Sequence, residues 1–372
     1  MKRFHVFTFA FIFLSGALLS AQPAIEHTCT VFRAGEDSTH TYRIPAIVQA
    51  RSGVILAFAE ARRENAKDAG DIDLVLKRSS DGGRTWSEMI TVWEDGVNTC
   101  GNPSPVVLES GRIVLLTTWN HGRDRSRLIK ERRGRDTRRA FVMFSDDEGL
   151  TWSSAREITA DVKLPDWTWY ATGPCHAIVK QKAPHKGRII VPCDHNTEVD
   201  EITYSHFIYS DDGGESWHLG AVSEPANNES TVAELPDGSL LLNMRGVRTV
   251  EKNAQYRALA LSRDGGITLR PQLKHKSLQE PVCEGSMINF SKNGKLTRTL
   301  LFSNPDYMKD RRFMTIKRSD DCGRTWKVAL KLSDSPAAYS DMVILQDTDV
   351  GILYETGEES AYEQIAFSIV RF

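Results

Sequence analysis

The chain has 372 residues, of which 40% are hydrophobic and 26% are charged, and its formal net charge at pH 7 is −2. This composition is typical of a soluble globular protein with enough apolar material for a core, and it excludes an intrinsically disordered chain. The near-neutral charge gives no electrostatic reason to expect a protein that binds nucleic acid.

The first 21 residues have the layout of a secretory signal peptide. A basic start is followed by an apolar run and by small residues near Ala21. The run is shorter than the ~20 residues that a membrane-spanning helix needs, and no later segment is apolar for long enough. The sequence therefore predicts a signal peptide at 1–21, one domain at 22–372, and a secreted or periplasmic protein.

The next recognisable element is the segment TYRIPAIVQARSGVILAFAEAR, residues 41–62. Apolar and polar residues alternate on both sides of Arg51-Ser52-Gly53, which predicts two strands joined by a tight turn. Arg43 and Arg62 are expected near opposite tips of this hairpin. A single arginine on a strand is usually a solvated cation, but two at these positions suggest a shared role.

Five copies of a motif close to S-x-D-x-G-x-T-W follow along the chain. The copies are SSDGGRTW (79–86), SDDEGLTW (145–152), SDDGGESW (210–217), SRDGGITL (262–269) and SDDCGRTW (319–326). The motif lacks the spaced carboxylates of a calcium loop. Asp and Ser side chains that bond backbone amides, together with glycines that accept positive φ, instead predict a tight turn in each copy.

The five motifs begin 66, 65, 52 and 57 residues apart. Such spacing indicates a repeated unit that is long enough for four antiparallel strands. Short alternating runs separated by Gly, Asp and Asn lie between the motifs, and long amphipathic helical stretches are almost absent. The sequence therefore predicts an all-β protein in which radially packed four-stranded sheets form a β-propeller.

Six cysteines are scattered along the chain without the spacing of a zinc site, so neither a metal nor a cofactor is expected. Cys175 and Cys193 flank a predicted hairpin. They are the first pair to test for a disulfide, which an oxidising compartment would permit.

The motifs, together with five further segments, resemble the bacterial exo-α-sialidases (neuraminidases), a family of glycoside hydrolases with a six-bladed propeller. The segments are YRIP, EARR, NESTVAELPDGSLLLNMRG, RRFMTIKRSDDCGRTW and AYSDM. The resemblance covers essentially the whole of residues 22–372. It implies a six-bladed β-propeller of four-stranded antiparallel sheets that acts on sialylated glycans as a monomer.

By this resemblance, Arg43, Arg245 and Arg311 bind the carboxylate that sialic acid carries on its anomeric carbon. Guanidinium groups suit this role because they bind carboxylates bidentately and keep their charge. Arg312 is the rival of Arg311. Adjacent residues of a strand point to opposite faces, so only one of the two can face the site, and the motif position favours Arg311.

The resemblance also assigns Tyr339 as the nucleophile and Glu229 as the base that takes its proton. A carboxylate nucleophile would be repelled by the substrate carboxylate, whereas a neutral phenol is not, and sialidases use a tyrosine for this reason. A phenol has an ordinary pKa near 10 and therefore needs a neighbouring base. The alternative without a catalytic role is that Tyr339 is an ordinary core tyrosine and Glu229 an ordinary surface glutamate.

Asp68 is the predicted acid for the leaving group, because the family places this acid six residues after the second arginine, here Arg62. Asp68 lies in a Gly/Ala/Asn-containing loop, whereas its rivals Asp71 and Asp73 enter a strand. Arg62 would bind a ring substituent of the sugar or hold the acid loop.

Two other functions remain open at this point. A trans-sialidase shares the chemistry up to the acceptor, and an inactive sialic-acid-binding lectin would keep the arginines but lose the acid or the nucleophile. The aromatic segments 117–124 and 167–174 line substrate pockets or belong to the core.

Overall fold

The structure is a computed structural model that describes residues 22–198, 202–247, 255–346 and 349–372. The predicted signal peptide, 1–21, lies outside the described residues. Within them the chain forms 25 strands and two short helices, so the predicted all-β class is confirmed. Neither described helix has the length and apolar character that crossing a membrane requires.

The strands form six antiparallel blades in chain order, preceded by β1 (Ala24–Arg33). Blade 1 contains β2 (Thr41–Gln49), β3 (Ile55–Arg62), β4 (Ile72–Ser79) and β5 (Ile90–Trp93). Blade 2 contains β6 (Thr99–Val107), β7 (Ile113–Asn120), helix α1 (Ser126–Lys130), β8 (Arg139–Ser145) and β9 (Arg156–Glu157). Helix α2 (Thr159–Val162) leads to blade 3, with β10 (Trp167–Thr172), β11 (Ile178–Val179), β12 (Ile189–Thr197), β13 (Thr203–Ser210) and β14 (His218–Val222).

Blade 4 contains β15 (Asn227–Glu234), β16 (Leu240–Gly246), β17 (Tyr256–Ser262) and β18 (Leu273–Gln279). Blade 5 contains β19 (Ser286–Asn289), β20 (Leu300–Pro305), β21 (Met314–Ser319) and β22 (Lys327–Lys331). Blade 6 contains β23 (Ala337–Gln346), β24 (Asp349–Thr356), β25 (Gln364–Arg371) and, as its outer strand, β1.

The ring closes because the first strand completes the last blade. Strand β1 pairs antiparallel with β25 from Ala24 opposite Arg371 to Arg33 opposite Gln364. The apolar cores lie within and between adjacent blades; one of them joins Phe32 and Ile47 to Phe367. The six-bladed propeller predicted from the resemblance is confirmed.

The predicted hairpin is formed by β2 and β3, but its arginines are not at opposite tips. Thr41 pairs with Arg62, and Arg43 pairs with Glu60. In an antiparallel hairpin the second strand ends beside the start of the first strand. Both arginines therefore lie at the open end of the hairpin, away from the turn. The prediction of opposite tips is therefore wrong.

The repeated motifs are tight turns, as predicted. In the first, Ser79 Oγ accepts a hydrogen bond from Gly83 N at 2.8 Å, and the Asp81 carboxylate accepts from both the amide and the hydroxyl of Thr85. The Ser–Gly bond recurs in the other four copies. A Cβ at Gly83, which has φ 91°, would lie 2.1 Å from the Phe367 ring, so the turn requires glycine.

Five of the described innermost strands carry a β-bulge near their first residues, where two residues face one on the next strand. The bulged pairs are Ile44–Pro45 in β2, Asn102–Pro103 in β6, Thr168–Trp169 in β10, Asn228–Glu229 in β15 and Ala338–Tyr339 in β23. A bulge bends a strand and re-aims its side chains. The repeated bulges turn side chains of several blades toward one end of the propeller axis.

Cys175 and Cys193 do not form a disulfide, since all six cysteines are free thiols in the structure. Cys193 packs in an apolar cluster with Tyr170. Cys175 lies instead beside Asp341, with its Sγ within 4.8 Å of a carboxylate oxygen of that residue. The two thiols face different surroundings, so the pair considered for a disulfide does not form one.

The Asp341 carboxylate joins four blades at the axis. It accepts hydrogen bonds from Ile47 N (2.9 Å), His176 N (3.0 Å), Ser286 Oγ (2.7 Å) and Met342 N (2.9 Å), and His176 Nδ1 lies 2.6 Å away. Asp341 is fully buried. Because both of its oxygens already accept protein hydrogen bonds, the cluster of Asp341 with His176 and Cys175 is a structural junction.

We predict that Asp341→Ala lowers the free energy of unfolding by about 3 kcal/mol, because it leaves several buried donors unpaired. Urea unfolding followed by tryptophan fluorescence measures the loss. The control is Asp146→Ala, whose side chain is 67% exposed and forms an ion pair with Arg112; it should leave the urea midpoint almost unchanged. Equal urea midpoints for the two variants would contradict the role of Asp341 as a structural junction.

Candidate active site

A cavity of about 380 Å³ lies at the bulged end of the axis, and its lining comes from all six blades. All seven residues predicted from the sequence line it: Arg43, Arg62, Asp68, Glu229, Arg245, Arg311 and Tyr339. A larger cavity of about 650 Å³ opens at the opposite end, beside Gln49 and Ile344, and contains none of the seven.

Arg43 is fixed at the start of β2 by the buried carboxylate of Glu355. Arg43 Nε donates to Glu355 Oε1 at 2.7 Å, and the same carboxylate accepts from the backbone N–H groups of Ile44 and Tyr339. The guanidinium lies 4.1 Å from the ring centroid of Tyr362 and 5.0 Å from that of Tyr339. Burial would lower the pKa of Arg43, but the charge of Glu355 outweighs it and raises the pKa.

Tyr339, Glu229 and Arg245 form one hydrogen-bonded group. The Tyr339 hydroxyl donates to Glu229 Oε1 at 2.5 Å. Arg245 Nη1 donates to Glu229 Oε2 and, at 3.0 Å, to the Tyr339 oxygen. The bulge of β15 opposite the end of β16 brings Glu229 and Arg245 together.

The phenol of Tyr339 is neutral in this arrangement. Burial raises its pKa well above the ordinary value, the charge of Glu229 raises it further, and Arg245 and Arg311 oppose both effects. The Glu229 carboxylate is placed to accept the phenolic proton, while Arg245 is placed to stabilise the charge on either partner.

Arg311 lies in the loop between β20 and β21, and not on a strand as predicted, because β21 begins only at Met314. Its Nη1 donates to the Tyr362 hydroxyl at 3.0 Å and its Nη2 to the carbonyl of Val282 at 3.1 Å. Its guanidinium carbon is 5.5 Å from the Tyr339 ring centroid.

Arg312 does not line the axial cavity. Its guanidinium lies 4.8 Å from the ring centroid of Phe313, a residue with φ 63°. The choice of Arg311 over Arg312 therefore agrees with the geometry, but the strand alternation used to justify it does not apply.

Arg62 holds the loop that carries Asp68. Its Nη1 donates to Asp68 Oδ1 at 2.8 Å and to the Ala66 carbonyl at 2.7 Å, and its other nitrogens bind Glu60 Oε2. Arg62 is only 2% exposed, whereas the Asp68 side chain is 72% exposed at the mouth of the cavity. The surrounding protein removes part of the hydration of Asp68, which would raise its pKa, but the charges of Arg62 and Arg43 outweigh this and lower it, so the free site holds a carboxylate.

The two rivals of Asp68 lie elsewhere. Neither Asp71 nor Asp73 lines the cavity. Asp73 is buried, and its Oδ2 accepts from Arg63 Nε at 2.8 Å. Asp71 ends the loop just before β4. The geometry therefore favours Asp68 among the three.

Sequence reasoning missed several residues that line the cavity. Arg138 donates to Thr118 Oγ1 and Asn102 Oδ1, and its guanidinium lies 4.1 Å from the Trp169 ring centroid. Asp194 is fully buried, its Oδ1 has no hydrogen-bond partner among the residues that the structure describes, and burial raises its pKa to about 7. Asp194 is a single charged residue within a strand, and Arg138 is one of many arginines in the loop before β8, so no sequence pattern marks either as part of a site.

The aromatic segment 167–174 has both of the roles considered for it. Trp169 lines the cavity. Trp167 is buried in the core and stacks on His195 with ring centroids 3.3 Å apart. Segment 117–124 contributes no cavity residue, and Trp119 donates its Nε1–H to Asp95 Oδ2.

Comparison with known proteins identifies the class of this fold and site. A family model described as a BNR repeat-like domain matches residues 36–352. The chain is 31% identical over 358 residues to a sialidase of Bacteroides fragilis, covering 90% of this chain and 64% of that protein. It is 29% identical over 348 residues to an exo-alpha-sialidase of Aspergillus fumigatus, covering 85% and 79%.

Among solved structures, the Hadza microbial sialidase Hz136 superposes with a TM-score of 0.81 at 31% identity, covering 93% of this chain and 68% of that chain. The chain belongs to the sialidase family of BNR-repeat propellers. It spans less than two thirds of the length of two matched bacterial sialidases, namely 64% of the Bacteroides fragilis protein and 52% of the Micromonospora viridifaciens protein.

Proposed function

We propose that this protein is an exo-α-sialidase that hydrolyses terminal sialic acids from glycoproteins, glycolipids and oligosaccharides. The observation that carries the proposal is the convergence of Arg43, Arg245 and Arg311 on the hydrogen-bonded pair of Tyr339 and Glu229. Three fixed cations next to a neutral nucleophile suit a sugar with a carboxylate on its reacting carbon. The sialidase relatives support the same activity.

The arginines orient the substrate before reaction. They bind the carboxylate of the sugar, which brings the anomeric carbon over the Tyr339 hydroxyl. The energy of this binding is available in both the ground state and the transition state, and it fixes the geometry of attack. A cavity of about 380 Å³ at one end of the axis has room for a terminal sugar residue.

In the first step the Tyr339 oxygen attacks the anomeric carbon and the bond to the aglycone oxygen breaks. The phenolic proton passes to Glu229, which already accepts a hydrogen bond from it at 2.5 Å. Arg245 contacts both the phenolic oxygen and the Glu229 carboxylate and so stabilises the charge that moves between them. Asp68 reacts in its protonated form, which is the minor form in the free site, and supplies the proton that the aglycone oxygen needs.

In the second step water replaces the tyrosine. Asp68, now a carboxylate, takes a proton from water as its oxygen attacks the anomeric carbon, and Glu229 returns a proton to the departing Tyr339. Two displacements at one carbon retain the anomeric configuration. The products are free sialic acid and the aglycone alcohol, and both acids end in their starting states.

The remaining expectations accompany this proposal. We propose that the protein is exported, because residues 1–21 have the layout of a signal peptide. We also propose that it acts as a monomer.

The proposal is tested with a fluorogenic aryl sialoside, with and without lactose as acceptor. We predict release of the aglycone and of free sialic acid by the wild type, and at least a ~10²-fold lower rate for Tyr339→Phe, which lacks the attacking oxygen. The control variant is Tyr209→Phe, a tyrosine that does not line the cavity. Binding without release by the wild type would favour the lectin, and sialyl-lactose as the main product would favour the trans-sialidase.

Asp68 gives a prediction that depends on pH and on the leaving group. Because the pKa of Asp68 is lowered, its protonated form becomes rarer as pH rises, by about tenfold per unit above that pKa. The kcat/KM for sialyl-lactose should therefore fall from about pH 5 to about pH 8. The decline should be much weaker for a nitrophenyl sialoside, whose leaving group needs little protonation.

Asp68→Asn should lower kcat/KM for sialyl-lactose by about 10²–10⁴-fold while sparing much of the activity on the nitrophenyl substrate. Asp71→Asn and Asp73→Asn are the matched controls, and each should affect the two substrates alike. If either control, but not Asp68→Asn, lost kcat/KM on sialyl-lactose alone, then the control residue and not Asp68 would be the acid.

A further inference from the structure

The loop between β7 and β8, residues 121–138, is the most basic part of the chain, and we refer to it as the basic loop. It contains seven arginines and one lysine against three acidic residues, a net charge of +5 in a chain whose net charge is −2. Such a run is often no more than a solvated face, so its position and its pairing decide what it does.

The basic loop is held in one shape by Asp124, which is 2% exposed. The Asp124 Oδ2 atom accepts hydrogen bonds from the backbone N–H of Arg135 at 2.6 Å and of Asp136 at 3.0 Å. A Cβ at Gly134 would lie 2.9 Å from the same oxygen, so the two limbs of the loop approach as closely as a glycine allows. The loop therefore displays its arginines from a fixed backbone.

Part of the loop's charge is already paired. Arg132 lies 3.1 Å from Glu198, Arg133 lies 2.9 Å from Glu131, and Arg127 lies 3.7 Å from Glu131. Three other arginines are exposed and make no ion pair with any residue that the structure describes. They are Arg123, Arg125 and Arg135.

The basic loop forms one wall of the axial cavity. Ser126, Lys130 and Arg138 line the cavity together with Asp68. Arg125 directly precedes the lining residue Ser126. Loss of hydration would raise the pKa of Asp68, but the charges of Arg62 and Arg43 lower it, and the charge of Arg138 adds a smaller effect in the same direction. The loop thus borders the side of the cavity from which Asp68 would protonate a leaving group.

We propose that Arg123, Arg125 and Arg135 bind a second anionic group, a carboxylate or a sulfate ester, on the aglycone of the substrate. This inference rests on the proposed sialidase function and names the class of glycan that the site prefers. Guanidinium groups recognise both anions by paired hydrogen bonds and charge. A terminal sialic acid held in the cavity leaves the next one or two sugars beside the loop that carries these three arginines, since Ser126, Lys130 and Arg138 of the same loop line the cavity.

The test compares kcat/KM for three substrates. Sialyl-lactose has a neutral aglycone, a disialyl-lactose adds the carboxylate of an internal sialic acid, and a sulfated sialyl-lactose adds a sulfate ester. The enzymes are the wild type, the triple variant Arg123→Gln/Arg125→Gln/Arg135→Gln, and a control triple variant. The control is Arg84→Gln/Arg263→Gln/Arg324→Gln, three exposed arginines in the repeated turns at the opposite end of the blades.

We predict that the wild type prefers the anionic aglycones, and that the basic-loop variant loses about tenfold in kcat/KM on them while keeping its rate on sialyl-lactose. The control variant should behave as the wild type. Raising the salt from about 50 to about 500 mM should lower the ratio of kcat/KM on the anionic substrates to kcat/KM on sialyl-lactose for the wild type. The same ratio should stay nearly unchanged for the basic-loop variant. Loss on the disialyl substrate alone would assign the site to carboxylates, and loss on the sulfated substrate alone to sulfate esters.

An unchanged substrate ratio in the basic-loop variant would overturn the proposal, and so would an equal loss on all three substrates. If the wild type hydrolyses none of them, the proposed function fails, and calorimetric titration of the wild type and both variants with disialyl-lactose and sialyl-lactose decides the binding inference separately. Tighter binding of disialyl-lactose that only the basic-loop variant loses would uphold it; equal binding would reject it.

Discussion

The buried carboxylate of Glu355 is the contact on which the site depends. It accepts hydrogen bonds from Arg43 Nε, from the backbone of Ile44 and from the backbone of Tyr339. One side chain thereby fixes an arginine of blade 1 and the nucleophile candidate of blade 6, whose strands lie far apart in the sequence. Burial of a charge is costly unless it is paired and hydrogen-bonded, and here Arg43 meets that requirement. The negative charge of Glu355 also offsets part of the mutual repulsion of the arginines that surround Tyr339.

The propeller serves the chemistry through a small set of repeated local features. Inner strands begin at the axial end with a bulge, and the loops between second and third strands return to the same end. Glu229 and Tyr339 lie on two of the bulges, while Asp68 and Arg311 lie on two of the loops. Closure by β1 and β25 then holds the ring, so that residues far apart in the chain share one cavity. Asp341 links the inner strands β2, β19 and β23.

Much of the fold was predictable because turn chemistry is local. The hydrogen-bond donors and acceptors of each repeated motif lie within a few residues of one another, so the structure of the motif follows from its local sequence. The site residues were found through the resemblance, and all seven meet in one cavity. Pairing across the ring was not predictable, since Glu355 contacts Arg43 at a separation of 312 residues. The loop position of Arg311 and the buried Asp194 were missed for the same reason: nothing local distinguishes them from other charged residues of a β-protein.

The most direct test of the central claim is the identification of the residue that bonds to the sugar. A sialosyl fluoride with a second fluorine at C3 slows both steps, and its good leaving group favours accumulation of the glycosyl-enzyme. Mass spectrometry of the trapped and digested protein should find one glycosyl residue, on the peptide that contains Tyr339, and none in the Tyr339→Phe variant. An adduct on Glu229 or on any other residue, or equal labelling of the variant, would contradict the account.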